Sequence, residues 1–156
     1  MINNTQFRAL IVRPGLSMIG KYCPKAEELL VATMAHESLG GTYLAQVSGP
    51  AMGIYEMEEP TYDDCWANVI SRQPAIKSMI SSFVGTSFKP NPVRMIWDLQ
   101  YATIMARMEY SRFDEPLPEA NDIHAIYAYY KKYWNSSKGA ANGEDFIQHY
   151  QTFIKV

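Results

Sequence analysis

Glu37 sits where a helix disfavours a carboxylate. The preceding run, Pro24-Lys25-Ala26-Glu27-Glu28-Leu29-Leu30-Val31-Ala32-Thr33-Met34-Ala35, predicts a helix, with proline in its first turn and acids where the dipole favours them. Gly40-Gly41 supplies the stop. Glu37 falls in the last turn, three and seven residues after Met34 and Leu30, and therefore on the apolar face. The negative helix end and partial burial both raise a carboxyl pKa there, and a carboxyl still protonated near neutral pH is what a general acid requires. The plain alternative is a glutamate turned to solvent or paired with Lys21 or Lys25. A second carboxylate for acid–base work has several candidates within reach in sequence, Glu56, Glu58, Glu59, Asp63 and Asp64. The same run also reads as a solvated loop, with Glu56 capping backbone amides. His36 points about 100° away from Glu37 on a helix and reads as a packing or surface residue.

The elements that must position these groups are helical. Thr5 to Met18 predicts a short helix interrupted near Pro14-Gly15, and Gly40 to Pro60, rich in glycine and proline, predicts an ordered loop or short hairpin. Thr61 caps a helix running to about Ser71, and another follows from about Gln73 to Val84. Asn91-Pro92 starts a long helix, with Val93, Ile96, Trp97, Gln100, Tyr101, Ile104, Met105 and Met108 on one face. Asn121 caps the next, whose face carries Ile123, Ile126, Tyr127, Tyr130 and Trp134. Asn142, with Asp145 three residues on, opens the last. Strand signals are weak throughout, so the fold class is mostly α in a single domain.

Composition narrows the partners. At 156 residues the chain can bury a real core, and its 47% apolar content argues against disorder. A formal charge of −2 supplies no basic face for nucleic acid and no drive toward anionic membranes. The 11 tyrosines suit either a core or a sugar-binding cleft. Cys23, Cys65, His36, His124 and His149 have no metal-ligand spacing, so neither metal nor cofactor is expected; two buried thiols or one disulfide are both open. The segment Met1 to Arg8 lacks the charged region and apolar core of a signal peptide, and no stretch approaches transmembrane length. The expectation is a protein made without a classical export signal. Asn3-Asn4-Thr5 and Asn135-Ser136-Ser137 match the glycosylation sequon and read as accidental in that setting.

The order of motifs after Glu37 resembles the lysozyme-like superfamily, in its lytic transglycosylase and goose-type lysozyme branch. That branch has a helix ending in Glu-Ser, a loop containing Gly-Leu-Met-Gln, and a nearby Pro and Thr opening the next helix. Here Glu37-Ser38, Gly53-Ile54-Tyr55-Glu56 and Pro60-Thr61 stand in those places. The segment Ala128-Tyr129-Tyr130-Lys131-Lys132-Tyr133-Trp134-Asn135 looks like the phage-borne version of the family's cleft-lining helix, followed by Gly139 and a terminal helix.

The resemblance spans about residues 24–156. It implies a lysozyme-like fold and cleavage of the peptidoglycan β-1,4 bond between N-acetylmuramic acid and N-acetylglucosamine, with Glu37 as acid and then base. Ser38, Gly53, Ile54, Tyr55, Tyr129, Tyr130 and Asn135 become substrate-side residues, with Tyr129 or Tyr130 touching the sugar or Glu37. It also implies a phage virion component or a holin-released endolysin, other virion proteins as partners, and no cofactor. The family's glutamine is Glu56 here, which opens a second chemistry. One carboxylate suffices for a transglycosylase, which closes a 1,6-anhydro ring; a second facing it permits hydrolysis by an activated water. The rival from outside enzymes is a non-catalytic virion or wall-binding module of the same fold.

Overall fold

Residues 1–85, 90–135 and 140–156 are described by the structure, a computed structural model; Ser136, Ser137 and Gly139 lie outside them. The fold is mostly α. The first helix, α1, is continuous over residues 4–18 (Asn4–Phe7, a wider π-type turn at Arg8–Val12, then Arg13–Met18). It is not interrupted at Pro14, contrary to the sequence expectation. Proline removes the amide that the Leu10 carbonyl would accept, and the Gln100 side chain donates to that carbonyl instead, at 2.9 Å.

Helix α2, Pro24–Glu37, is the centre of the molecule. From Ala26 to Ala35 nearly every residue is buried, Glu27 included. It packs against α1, α6 (Leu99–Tyr110), α7 (Ile123–Tyr133) and α8 (Gly143–Phe153). Burying an acid requires partners. Arg13 Nε and Nη2 donate to Glu27 at 2.9 and 3.0 Å, and Arg8 donates to Glu28 through two nitrogens at 2.8 Å each. Tyr150 of α8 donates to Glu28 at 2.6 Å. One ion network thus ties α1 and α8 to the first turns of α2.

Two helix starts differ from expectation by a few residues. Helix α3, Glu59–Cys65 continuing through Trp66–Ile70, begins before Thr61, with Pro60 in its first turn. Asp122, not Asn121, caps α7 by accepting from the Ala125 amide at 2.9 Å. Helix α4, Pro74–Val84, and the Asn142 cap of α8 match the sequence reading. The long helix expected from Asn91 is two helices. Short α5, Arg94–Trp97, ends at Asp98, which leaves helical backbone (ψ 92°) and caps α6 through the Tyr101 amide at 2.9 Å. Asp98 also holds Arg94 at 2.8 Å, so one carboxylate satisfies both sides of the break.

Residues 40–60 contain isolated bridges, Ala45 with Met52 and Met52 with Met57, and no strand among the described residues. Met52 and Met57 exchange amide bonds at 2.9 and 3.0 Å, closing a tight turn over Gly53, Ile54, Tyr55 and Glu56. The buried apolar side chains form one cluster, and six tyrosines belong to it (Tyr55, Tyr62, Tyr101, Tyr110, Tyr129 and Tyr130). The abundance of tyrosine therefore serves mainly the core. Cys23 and Cys65 are free thiols. Among the described residues no helix is long and apolar enough to cross a membrane.

Gly53 is the tightest point of the turn. A Cβ there would lie 2.6 Å from the Met95 carbonyl of α5, at a φ of 74°. Gly53→Ala is expected to destabilise the protein by about 2 kcal/mol or more, since backbone strain and a backbone clash add; urea unfolding followed by circular dichroism checks it.

Candidate active site

The site is built where the end of α2 meets α7 and the turn over residues 53–56. Directly after Glu37 the chain is turned sharply: Leu39, Gly40 and Gly41 all adopt left-handed backbone, with φ of 49°, 66° and 72°. Ser38 pins this corner. Its hydroxyl donates to the Met34 carbonyl at 3.0 Å and accepts from the Gly41 amide at 3.0 Å. Fully buried, Ser38 fixes the direction of Glu37 and offers no surface to a substrate.

Glu37 keeps part of its side chain at the surface, in surroundings that remove most of its water. Tyr130 donates to its Oε1 at 2.7 Å. Burial pushes the Glu37 carboxyl up to about 7; the Tyr130 hydrogen bond opposes that rise and the negative charge of Glu56 adds to it. Burial, and then the Glu37 charge, push the Tyr130 hydroxyl upward, so it remains a proton donor. Lys21 and Lys25 do not neutralise Glu37: Lys25 pairs with Glu119, and among the described residues no ion pair joins Lys21 to Glu37.

The second carboxylate is Glu56. Its backbone is left-handed, φ 47°, a conformation costing a non-glycine residue about 1–2 kcal/mol. That geometry turns the side chain out of the tight turn, half-buried, with its pKa raised by burial. Glu56 lines a pocket of about 200 Å³ together with Met57, Glu58, Thr61, Glu109, Tyr133 and Trp134. Of the other candidates, Glu58 also lines the pocket, Asp64 is bound to Arg112, and Glu59 and Asp63 are exposed.

Several residues expected on the substrate side are engaged within the protein. Gly53, Ile54 and Tyr55 are buried beneath Glu56 and form its support. The close approach that Gly53 permits is made by α5, not by a ligand. Tyr55 donates to Thr103, whose own hydroxyl proton goes to the Leu99 carbonyl, at 3.2 and 2.8 Å. Tyr129 faces away from Glu37 and donates to the Glu115 carbonyl at 3.1 Å. Asn135 is occupied by the protein, accepting from Lys131 at 2.8 Å and hydrogen-bonding the Tyr130 hydroxyl. The chain Asn135, Tyr130, Glu37 is thus a positioning relay.

His36 packs, as expected. Its ring contacts Tyr130, Phe146 and His149, and its Nδ1 lies 3.1 Å from Nδ1 of His149. Burial, then the His149 ring, push it down to about 4, so it is neutral beside Glu37.

Neither protein-family models, nor curated proteins, nor solved structures match this chain. The site therefore has to be read from its own chemistry. Trp134, placed on a helix face by the sequence but given no role there, and Glu109, which the sequence reading missed, both line the pocket. Trp134 packs on Tyr110 and Tyr55 with ring centroids at 5.1 and 6.4 Å and forms an aromatic wall of the pocket. Glu109, almost fully buried, lies in the last turn of α6, four residues after buried Met105, and is held by Arg112 at 2.9 Å. The rule that singled out Glu37 singles out Glu109 as well. Among the described residues no group of three His, Cys, Asp or Glu side chains is placed to hold a metal ion. Glu37 can therefore donate a proton, and Glu56, near enough for its charge to act on Glu37, lines the adjoining aromatic-walled pocket, whose lining does not include Glu37.

The sign of the linkage can be tested directly. Glu37 has a folded-state pKa near 7 against an ordinary value of 4.5, so the folded protein binds more protons between these values. Ionising Glu37 destabilises the fold as pH rises through that window. Glu37→Gln is expected to be more stable than wild type at pH 8, by roughly 2–3 kcal/mol, with the gain vanishing below about pH 4.5. Denaturant titrations of both proteins across pH measure it.

Proposed function

We propose that this chain has a lysozyme-like fold and cleaves peptidoglycan at the β-1,4 bond between N-acetylmuramic acid and N-acetylglucosamine. Supporting this reading above all is Glu37, protonated near neutral pH and held by Tyr130 at 2.7 Å. Glu37 gives its proton to the glycosidic oxygen as the bond breaks. As a carboxylate it then takes a proton from the sugar's own 6-hydroxyl, which closes a 1,6-anhydro ring without consuming water. Trp134 and Tyr133 supply ring faces for a pyranose, and the excess of carboxylates suits a substrate presenting hydroxyls and amides. The source in view is a bacteriophage, with the protein carried in the virion beside other virion proteins or released as an endolysin.

Hydrolysis is the second reading, and one observation favours it: Glu56 holds a strained backbone, lines the pocket and is close enough to raise the Glu37 pKa. In that case Glu56 activates a water or attacks the sugar, according to its separation from Glu37.

Glu37→Gln is expected to lose clearing on a peptidoglycan gel by about 100-fold or more; full clearing by this variant removes Glu37 as the acid, and none by wild type favours a wall-binding module instead. Mass spectrometry of the released muropeptides separates the two chemistries, because anhydro ends are lighter than reducing ends by one water. Reducing ends alone, abolished by Glu56→Gln, establish hydrolysis. Tyr130→Phe removes the bond that lowers the Glu37 pKa, so the alkaline limb of the pH–rate profile is expected to move to higher pH.

A further inference from the structure

The pocket beside Glu56 is rich in hydrogen-bond acceptors and poor in donors. Its lining brings three carboxylates together, those of Glu56, Glu58 and Glu109. Among the described residues no lysine or arginine lines it, and the Tyr133 hydroxyl already gives its proton to Glu115. An occupant of this space must therefore bring donors of its own.

Glu109 differs from the other two acids in its exposure to water. It is 8% exposed, whereas Glu56 is half-buried and Glu58 is open to solvent. Arg112 donates to its Oε2 at 2.9 Å, but the same guanidinium also pairs with Asp64, so one cation serves two acids. The Cys65 thiol is its other donor. An ionised carboxylate accepts about four hydrogen bonds, so Glu109 keeps acceptor capacity beyond these two contacts. A donor that reaches it meets little competition from water, and a hydrogen bond to a charged, desolvated acceptor is among the stronger kinds. At Glu58 water competes for the same bonds.

Trp134 stands in the same lining and offers an apolar ring face. A buried acceptor beside an aromatic wall suits a pyranose, which presents donors around its edge and C–H groups on its faces.

We propose that Glu109 fixes the sugar in this pocket, accepting a hydrogen bond from a pyranose hydroxyl or from the N–H of an acetamido group. The proposal rests on the reading of the pocket as a peptidoglycan site and adds a specificity residue to it. Glu37 breaks the bond, while Glu109 holds a ring against Trp134.

Isothermal titration with chitotetraose and cellotetraose tests it, with Glu37→Gln as the parent protein so that nothing is cleaved. Adding Glu109→Gln is expected to weaken chitotetraose binding about tenfold or more. A loss with chitotetraose alone assigns the donor to the acetamido group, and a loss with both sugars assigns it to a hydroxyl. Unchanged chitotetraose affinity, or no binding of chitotetraose by the parent, overturns the proposal. Asp64→Asn loosens the same ion pairs from outside the pocket and is expected to leave the affinity unchanged; an equal loss there makes the role of Glu109 structural and overturns the proposal too. The parent protein also gives a readout without any change at residue 109. The Glu109 carboxyl carbon resonance is expected to shift on saturation with chitotetraose, and a resonance that stays in place counts against the contact. Clearing of peptidoglycan by wild type is scored separately. A chain that binds chitotetraose through Glu109 and clears no wall loses the cleavage reading alone, and one that clears the wall with unchanged Glu109→Gln affinity loses this proposal alone.

Discussion

A helix buried on nearly all sides governs this molecule. Helix α2 carries Glu27, Glu28, His36 and Glu37 into the interior, and each must be satisfied by something from another element. At its first turns the solution is ionic: two arginines and a tyrosine hold the acids as carboxylates, and Glu27 sits below the ordinary carboxylate range despite its burial. At its last turn no cation among the described residues pairs with Glu37. Burial, with the Glu56 charge added and the Tyr130 hydroxyl opposing, leaves Glu37 holding its proton. The two ends of one helix thus put the same side-chain type to opposite uses, structural charge at one and a proton store at the other.

The site follows from how the neighbouring elements accommodate that end. Ser38 and the left-handed residues after it turn the chain away, leaving Glu37 at the rim. The turn over residues 53–56 is pressed onto α5 at Gly53 and projects Glu56 at its far end. Helix α7 contributes Tyr130 from within and Trp134 at its edge. Buried tyrosines join these parts by paired hydroxyls, Tyr110 with Thr33 at 2.8 Å and Tyr62 with Tyr101 at 2.7 Å, so the walls are stiff as well as apolar.

Much of this was legible in the sequence because periodicity and capping are local. The helical character, the start of α2 at Pro24, the Asn142 cap and the place of Glu37 on an apolar face all follow from neighbours within a few residues. What was not legible depends on distant contacts. Nothing near Pro14 announces that Gln100 will satisfy Leu10 and carry α1 through. The apolar stripe from Val93 to Met108 runs across the break at Asp98, because both helices face the same core. Choosing Tyr130 over Tyr129 required knowing which side of α7 faces α2. Glu109 is the instructive omission, since it obeys a local rule already in use and needed only a second application.

The paired imidazoles of His36 and His149 have a consequence for tautomers. Two Nδ1 atoms 3.1 Å apart can share only one hydrogen between them. With both rings neutral, one must be the Nδ1–H tautomer and its partner the Nε2–H tautomer. Exchange of roles requires both rings to change together, and neither can flip alone without breaking the contact. Because the His36 ring also lies edge-on to Tyr130, this concerted exchange links α8 to the donor that holds Glu37.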